Sequence, residues 1–223
     1  MKLPAMLLWL TALFLSGCAS GQPKLPYDAW SIGLLAPNYM EAWVESVDVI
    51  DQRGLVFERV HGGNVAMRSP ANNAGNPAWP SLERVGAGKS KGMPGIDLPE
   101  FIFVRWQSLI EPQTYNVRIN IPQWVRQRMV TKEQPVCRWK SDWGKNLPSF
   151  GYSDHITIGL APGGIAKVWL QGPCLDPVEI GRFEGKISKD GPDMGNNNGQ
   201  YAYPPSPEAE AYIKKFGIPY GSW

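Results

Sequence analysis

The chain has 223 residues, and its 22 basic and 20 acidic side chains leave a formal net charge of +2. Nucleic-acid-binding domains carry a clustered excess of basic charge, so this near-neutral balance argues against a nucleic-acid partner. Hydrophobic residues make up 43% of the chain, enough to bury a core, and the 24 glycines and 21 prolines indicate many turns.

The first 18 residues have the pattern of an export signal. Lys2 gives a basic start, residues 5–14 (AMLLWLTALF) form an uncharged apolar run, and residues 15–18 (LSGC) end in Cys18. This run is too short for a membrane-spanning helix, which needs about 20 apolar residues. The LSGC sequence resembles the lipobox of bacterial lipoproteins, which implies removal of residues 1–17 and acylation of Cys18 with diacylglyceryl and palmitate chains. The alternative is an ordinary secretory signal with a cysteine nearby.

The lipobox implies that the mature protein is anchored in the cell envelope. Ala19 and Ser20 follow Cys18 without the aspartate that retains lipoproteins in the inner membrane, so we expect the periplasmic face of the outer membrane. Each buried methylene contributes ~0.8 kcal/mol to anchoring, and stable anchoring needs more than one acyl chain. We interpret residues 18–26 as the lipidated N-terminus and tether, and residues 27–223 as a single β-rich globular domain.

Most of this domain has strand patterns. Residues 115–121 (YNVRINI) alternate strictly between apolar and polar side chains, which is typical of a half-buried strand. Short turn sequences at 51–54, 111–114 and 161–164 predict hairpins between consecutive strands. The other predicted strands are 30–35, 42–50, 55–60, 101–110, 155–160, 165–170 and 178–187.

Helix signals are few. Ser206 as N-cap, a proline at the first helical position and Gly217 as C-cap predict a helix over 207–216. Residues 122–130 are a possible second helix, and residues 70–95 and 190–205 are predicted as long loops. The pattern fits a mainly β fold, a single antiparallel β-sandwich or strongly bent sheet with one or two short peripheral helices.

Two cysteines remain once Cys18 is lipidated. Cys137 and Cys174 form an even pair in an oxidising compartment, which predicts a disulfide bond between them. Closing the intervening loop would stabilise the fold by roughly 3–4 kcal/mol. The alternative is two free buried thiols.

No motif predicts an active site. Residues 83–90 (ERVGAGKS) have glutamate where a phosphate-binding loop needs its first glycine, and prolines precede them instead of a buried strand. Ser153, Asp154 and His155 have the side chains of a hydrolase triad, but successive strand residues point to opposite faces. A triad assembled from distant residues, with His61 or His155, stays open.

Metal-binding patterns are weak as well. Two histidines and a paired Cys137 and Cys174 leave no Cys/His cluster with ligand spacing. Residues 190–199 are rich in oxygen ligands but lack the alternating spacing of a calcium loop, and a solvated loop is the better interpretation. We therefore expect no catalytic residues, no metal and no cofactor.

Tryptophan is abundant, with ten residues in the chain. Trp106, on the apolar face of its strand, is expected in the core. Residues 137–146 (CRWKSDWGKN) lack strand alternation, and Trp and Arg are enriched at protein–protein hot spots. A disulfide at the base of this loop would lower the cost of ordering it on binding. The predicted partner-binding residues are Arg138, Trp139, Asp142 and Trp143; the alternative is that both indole rings pack back onto the sheet.

Several features, in order, resemble a family of small proteobacterial lipoproteins known as the domain-of-unknown-function 2931 group. They are the lipobox, the Asp51-x-x-Gly54 turn, residues 104–109 (VRWQSL) followed by Tyr115 and by 121–122 (IP), and the closing residues 218–223 (IPYGSW). The resemblance covers most of the mature chain. Members are sometimes encoded beside type VI secretion lipase effectors and look like their periplasmic immunity proteins.

This resemblance implies a non-enzymatic immunity lipoprotein that binds and neutralises a toxic phospholipase in the periplasm. Its partners would be the membrane, through the lipid anchor, and the lipase. The alternative is a structural or assembly lipoprotein of the outer membrane that binds another envelope protein.

Overall fold

A computed structural model describes residues 21–71, 77–82, 88–136 and 149–223. Over these residues the chain forms ten strands in two five-stranded sheets, whose apolar faces pack against each other. The predicted mainly β sandwich is therefore confirmed. None of the helices in these ranges is long and apolar enough to cross a membrane.

The two sheets share neither strands nor edges. Sheet A has the order β4-β1-β7-β8-β9. Its strands are β1 (Ser31–Leu35), β4 (Lys89–Gly92), β7 (His155–Ala161), β8 (Ile165–Gly172) and β9 (Leu175–Glu184). Sheet B has the order β10-β6-β5-β2-β3. Its strands are β2 (Ala42–Asp51), β3 (Val56–Asn64), β5 (Pro99–Ser108), β6 (Gln113–Asn120) and β10 (Lys186–Ile187).

Neighbouring strands pair antiparallel with one exception among the described residues. The three predicted hairpins, β2–β3, β5–β6 and β7–β8, are all confirmed. The exception is β1, which pairs parallel with β7 so that Ser31 lies opposite His155. A parallel pair needs a long crossover, and here the crossover is most of sheet B.

Strand alternation sets the core. Ile102, Val104 and Trp106 of β5 are buried, as predicted, and so are the apolar positions of β6. Those β6 positions pair with β5 in register, with Trp106 opposite Tyr115. Their partners across the sandwich come from sheet A and include Ile32, Leu34, Ile156, Ile158, Val168 and Leu170.

Helix α1 (Gln123–Met129) follows β6, and helix α2 (Pro207–Phe216) has the bounds that the sequence predicts. The side chain of Ser206 accepts a hydrogen bond from the backbone N–H of Ala209 at 3.3 Å, and Gly217 ends the helix with a positive φ of 74°. Ala209 and Tyr212 are buried, so the helix covers one end of the sandwich through a narrow apolar face.

Some predicted boundaries are wrong. Strand β5 ends at Ser108 and the hairpin turn occupies 109–112 instead of 111–114, because Leu109 is buried and extends the apolar run beyond the strand. Strand β4 lies within the predicted loop 70–95; it is an edge strand of four exposed residues and carries no apolar alternation. Strand β9 begins three residues earlier than expected, at Leu175 rather than Val178.

The sandwich has two distinct ends. We call one the tether end: it comprises residues 21–30, residues 51–56, α1 with the following residues 130–136, residues 149–154 and the β8–β9 turn. Trp30, which precedes β1, is bound there to the β4–β5 connection through hydrogen bonds from Nε1 to the carbonyls of Ile96 (3.0 Å) and Asp97 (3.2 Å).

The opposite, distal end is covered by residues 218–223 and by α2. Trp223 is buried; its Nε1 donates to the carbonyl of Pro162 at 3.1 Å, and its own carbonyl accepts from Arg182 Nε at 2.9 Å. The hydroxyl of Tyr220 donates to the carboxylate of Glu111 at 2.7 Å. This end is therefore closed by contacts between segments far apart in sequence.

Candidate functional site at the tether end

A buried aspartate organises the β2–β3 turn. The carboxylate of Asp51 accepts hydrogen bonds from the backbone N–H groups of Arg53 (2.9 Å), Leu55 (3.2 Å) and Asp97 (3.2 Å). Gly54 has a φ of 77°, which a residue with a side chain adopts only at a cost. Burial alone would raise the pKa of Asp51, but the hydrogen bonds from the Arg53 side chain and from the three N–H groups outweigh it and hold this pKa below its usual value.

The same turn holds the N-terminal segment. Arg53 is oriented by Asp51, to which it donates from Nε (2.8 Å) and Nη2 (2.5 Å). Its remaining donors reach the carbonyls of Gly21 (2.9 Å, from Nη1) and Gly95 (3.1 Å, from Nη2). Gly21 is three residues beyond Cys18, so the chain that emerges from the predicted lipidation site is fixed against this end of the sandwich.

The predicted partner-binding residues lie outside the described residues; they are Arg138, Trp139, Asp142 and Trp143. The segments on either side of them are described. Glu133 and Gly151 form an antiparallel bridge, with N–H to carbonyl distances of 2.9 and 2.8 Å. The segment therefore leaves and rejoins the sandwich at one place on the tether end.

The predicted disulfide also falls partly outside the described residues, because Cys137 is not among them. Cys174 lies in the β8–β9 turn, and its carbonyl accepts a hydrogen bond from the N–H of Val136 at 2.8 Å. Consecutive Cα atoms are 3.8 Å apart, and disulfides join Cα atoms 4.4–6.8 Å apart. The pairing stays a prediction, and the position of Val136 favours it.

Glu133 fastens the base of this segment to α1. Its carboxylate accepts from Arg128 Nε (3.0 Å) and Nη2 (2.7 Å). The hydroxyl of Ser153 donates to the same carboxylate at 2.8 Å. Ser153 is thus committed to a structural contact at the loop base.

Helix α1 presents a partly apolar outer face. Val125 and Met129, four residues apart, are buried under it, which leaves Trp124 on the outside with 43% of its surface exposed. A groove of about 750 Å³ runs between α1 and the N-terminal segment. Its lining residues are Lys24, Leu25, Pro26, Gln52, Asp97, Leu98, Gln123, Arg126, Gln127 and Val130.

The outer face of sheet B holds a second polar network, away from the tether end. The carboxylate of Glu45 pairs with Arg105 and accepts from Gln107 Nε2 at 2.9 Å and from the N–H of Asp193 at 2.7 Å. Arg105 also donates to the hydroxyl of Ser188 at 2.5 Å. The side chains of Glu45 and Arg105 are both nearly buried, so this network fastens the long loop after β10 to the sheet.

The sequence model of a family described as "Protein of unknown function (DUF2931)" matches residues 18–221. The chain belongs to this family. Comparisons with curated proteins and with solved structures find no match.

The motifs of the DUF2931 resemblance that lie in the described residues are part of the framework of the fold. Residues 51–54 hold the N-terminal segment, and residues 218–223 close the distal end. Within residues 104–109, Val104 and Trp106 face the core while the intervening Arg105 belongs to the network on the outer face. Each of these three motifs therefore contacts a segment that is distant in sequence.

The two histidines of this DUF2931 protein lie in different sheets. His61 Nδ1 accepts from the N–H of Gly62 at 2.8 Å, so Nε2 carries the proton and donates to the carbonyl of Lys89 at 2.8 Å. Burial lowers the pKa of His61, which favours this neutral form. His155 is buried in β7, with Nδ1 2.5 Å from the Ser31 hydroxyl. Within the described ranges, no group of three or more His, Cys, Asp and Glu side chains could hold a metal ion.

The sequence reasoning missed Arg53, Trp124 and Glu133 as residues of the tether end. Arg53 and Glu133 act through contacts with segments far away in the chain, which local patterns do not reveal. Trp124 could have been found: the spacing of Val125 and Met129 predicts the buried side of α1, and Trp124 falls outside it.

Proposed function

We propose that this protein is a lipid-anchored binding protein of the periplasm that neutralises a toxic phospholipase. The observation that carries the proposal is the contact between Arg53 and Gly21. It holds Gly21, three residues after the predicted anchor, at the same end of the sandwich as the Glu133–Gly151 bridge. The predicted partner-binding residues would then lie near the membrane, where a phospholipase finds its substrate.

The polar side chains that could serve catalysis have structural contacts in the described part of the chain. Ser153 donates to Glu133, and His61 joins β3 to β4. The Glu45 carboxylate is surrounded by donors. These contacts support a role in binding rather than in turnover.

Anchoring also contributes to inhibition. A binder held at the membrane has a high effective concentration at the surface that a phospholipase must reach. The prediction that the partner is a type VI lipase effector comes from the resemblance of the family to immunity lipoproteins.

The test directs the product of the neighbouring gene to the periplasm of a test bacterium, with and without this protein, and counts survivors. Relief of killing by the wild-type chain, and less relief by Cys18→Ser, would support an anchored immunity protein. Killing that the wild-type chain does not relieve would refute the proposal and favour the structural or assembly role.

A second measurement separates binding from neutralisation. The purified protein and the candidate phospholipase are mixed, and both complex formation and hydrolysis of phospholipid vesicles are followed. A complex that hydrolyses phospholipid at the full rate would contradict neutralisation even if the two proteins bind tightly.

A further inference from the structure

Exposed apolar side chains are concentrated at the tether end. Ten large hydrophobic residues are exposed in the described part of the chain, and six of them lie at this end. They are Leu55, Val56, Trp124, Val130, Val136 and Phe150. Exposed apolar residues are ordinary when scattered singly, but a concentration on one end indicates an interaction surface.

Basic side chains lie among these apolar residues. Lys24 and Arg126 line the groove beside α1, and the ammonium group of Lys132 lies 4.3 Å from the centre of the Phe150 ring. Exposed acids, Asp28 and Asp176, are present at this end too. This surface is therefore mainly apolar, with a few basic side chains among the apolar ones.

The position of Gly21 indicates which binding partner this surface faces. Three residues span at most about 11 Å when fully extended, so the Cα of Cys18 lies within that distance of the Cα of Gly21. Each headgroup layer of a bilayer is itself on the order of 5–8 Å thick. If Cys18 is acylated, the tether end is thus held within a few ångströms of the headgroups, and the hydrogen bond from Arg53 to Gly21 favours an orientation with this end towards the membrane.

Tryptophan suits that boundary. Its ring is apolar and its indole N–H donates a hydrogen bond, which places Trp at the membrane–water interface of many proteins. Lys and Arg at the same depth bury their aliphatic stems and keep the charge in the headgroup layer. Lys24 and Arg126 line the groove from its two sides, and Trp124 is exposed on α1 beside it.

We propose that the tether end is a second, non-covalent membrane contact, in which Trp124 and the neighbouring apolar side chains rest in the headgroup region of the bilayer. This inference relies on the anchored state in the proposed function. It adds a defined orientation: the long axis of the sandwich stands away from the membrane, with α2 and residues 218–223 farthest from it.

Quenching of tryptophan fluorescence tests the contact. The protein isolated from bacterial membranes is inserted into phosphatidylethanolamine–phosphatidylglycerol vesicles, with or without bromine on the acyl chains. Bromine quenches only indole rings close to it. The decisive variant is Trp124→Phe, which keeps an aromatic ring at the surface and removes one reporter. The matched control is Trp43→Phe, because Trp43 lies at the far end of β2, where it contacts Tyr203.

We expect brominated lipid to quench the wild type and the Trp43→Phe variant, and to quench Trp124→Phe by a clearly smaller amount. Equal quenching of Trp124→Phe and the wild type would overturn the proposal. Both substitutions affect side chains that reach the surface, and equal unfolding temperatures would confirm that the fold is kept.

The mass of the isolated protein separates the two inferences. A chain without acyl groups would refute the anchor, and the same quenching is then measured with increasing concentrations of vesicles. Quenching through Trp124 in that sample would uphold the membrane contact without the anchor, and no quenching at any concentration would refute the contact too.

Discussion

The ion pair between Glu45 and Arg105 gives the sharpest test of how the fold is held together. Removing one partner of a buried pair leaves the other charge without compensation, which costs about 3–5 kcal/mol. In Glu45→Gln the Arg105 guanidinium keeps its contact with Ser188 but loses its counter-ion. We therefore expect Glu45→Gln to lower the free energy of unfolding by an amount of this order.

The measurement is urea unfolding of the purified protein followed by circular dichroism. A chain of this size loses on the order of 2–3 kcal/mol of stability per molar urea, so the midpoint should fall by about 1–2 M. Glu184→Gln is the matched control, because Glu184 pairs with Arg182 at 2.9 Å but both side chains are exposed. Exposed pairs contribute about 0–1 kcal/mol, so this midpoint should hardly move.

A double-mutant cycle tests the reasoning itself. If the cost of Glu45→Gln comes from an unpaired buried charge, adding Arg105→Met removes that charge. The double variant should then be more stable than the sum of the two single changes requires, with a coupling energy of about 1–3 kcal/mol. Additive losses would show that packing, and not the charge, sets the stability of this network.

Three further predictions concern the tether end and its neighbours. Cys137→Ser should lower the free energy of unfolding by roughly 3–4 kcal/mol in oxidised protein and leave that of reduced protein unaffected. Unfolding with and without a thiol reductant measures this. A wild type that is equally stable with and without the reductant would contradict the disulfide. The pKa of Asp51 is held below its value in the unfolded chain, so its contribution to stability is present above about pH 4 and is lost as pH falls through the folded pKa. The stability advantage of the wild type over Asp51→Asn should therefore shrink on acidification. A difference that stays constant with pH would refute this. His61 also has a lowered pKa, so its contribution to stability is fully present above about pH 6.5 and declines as pH falls from there towards the folded pKa. His61→Gln should flatten this part of the pH–stability curve.

Local patterns predicted the inner faces of the strands and the three hairpins, but not the pairing of strands far apart in the chain. In residues 115–121, alternate side chains are buried on one face of the strand, and the alternation of apolar and polar residues in the sequence is enough to show which ones. The parallel pairing of Ser31 with His155 joins residues 124 positions apart, and nothing near either residue indicates it. Strand β4 was missed for a different reason: its residues are all exposed, so backbone hydrogen bonds to β1 define it rather than burial.

The candidate site was predictable only in part for the same physical reason. The spacing of Val125 and Met129 was visible, and it determines which side of α1 Trp124 occupies. The contact of Arg53 with Gly21 could not be read from the sequence, because it depends on Asp51 orienting a flexible guanidinium towards a segment 32 residues away.

The positions of the motifs in the structure indicate that they predict the fold of a DUF2931 protein rather than its binding partner. The Asp51 turn and Arg105 make framework contacts, so a relative with these residues should share the sandwich and the position of the N-terminal segment. These residues are engaged in contacts within the fold, so the binding of a toxin as proposed would depend on surfaces outside the motifs. Residues 134–150, whose ends meet at the Glu133–Gly151 bridge, are outside the motifs and include the predicted partner-binding residues. Exchanging residues 134–150 between two members should therefore transfer the choice of toxin in a survival assay and leave the unfolding temperature nearly unchanged. An exchanged protein that keeps its unfolding temperature but still protects against its original toxin would place the binding surface elsewhere on the sandwich.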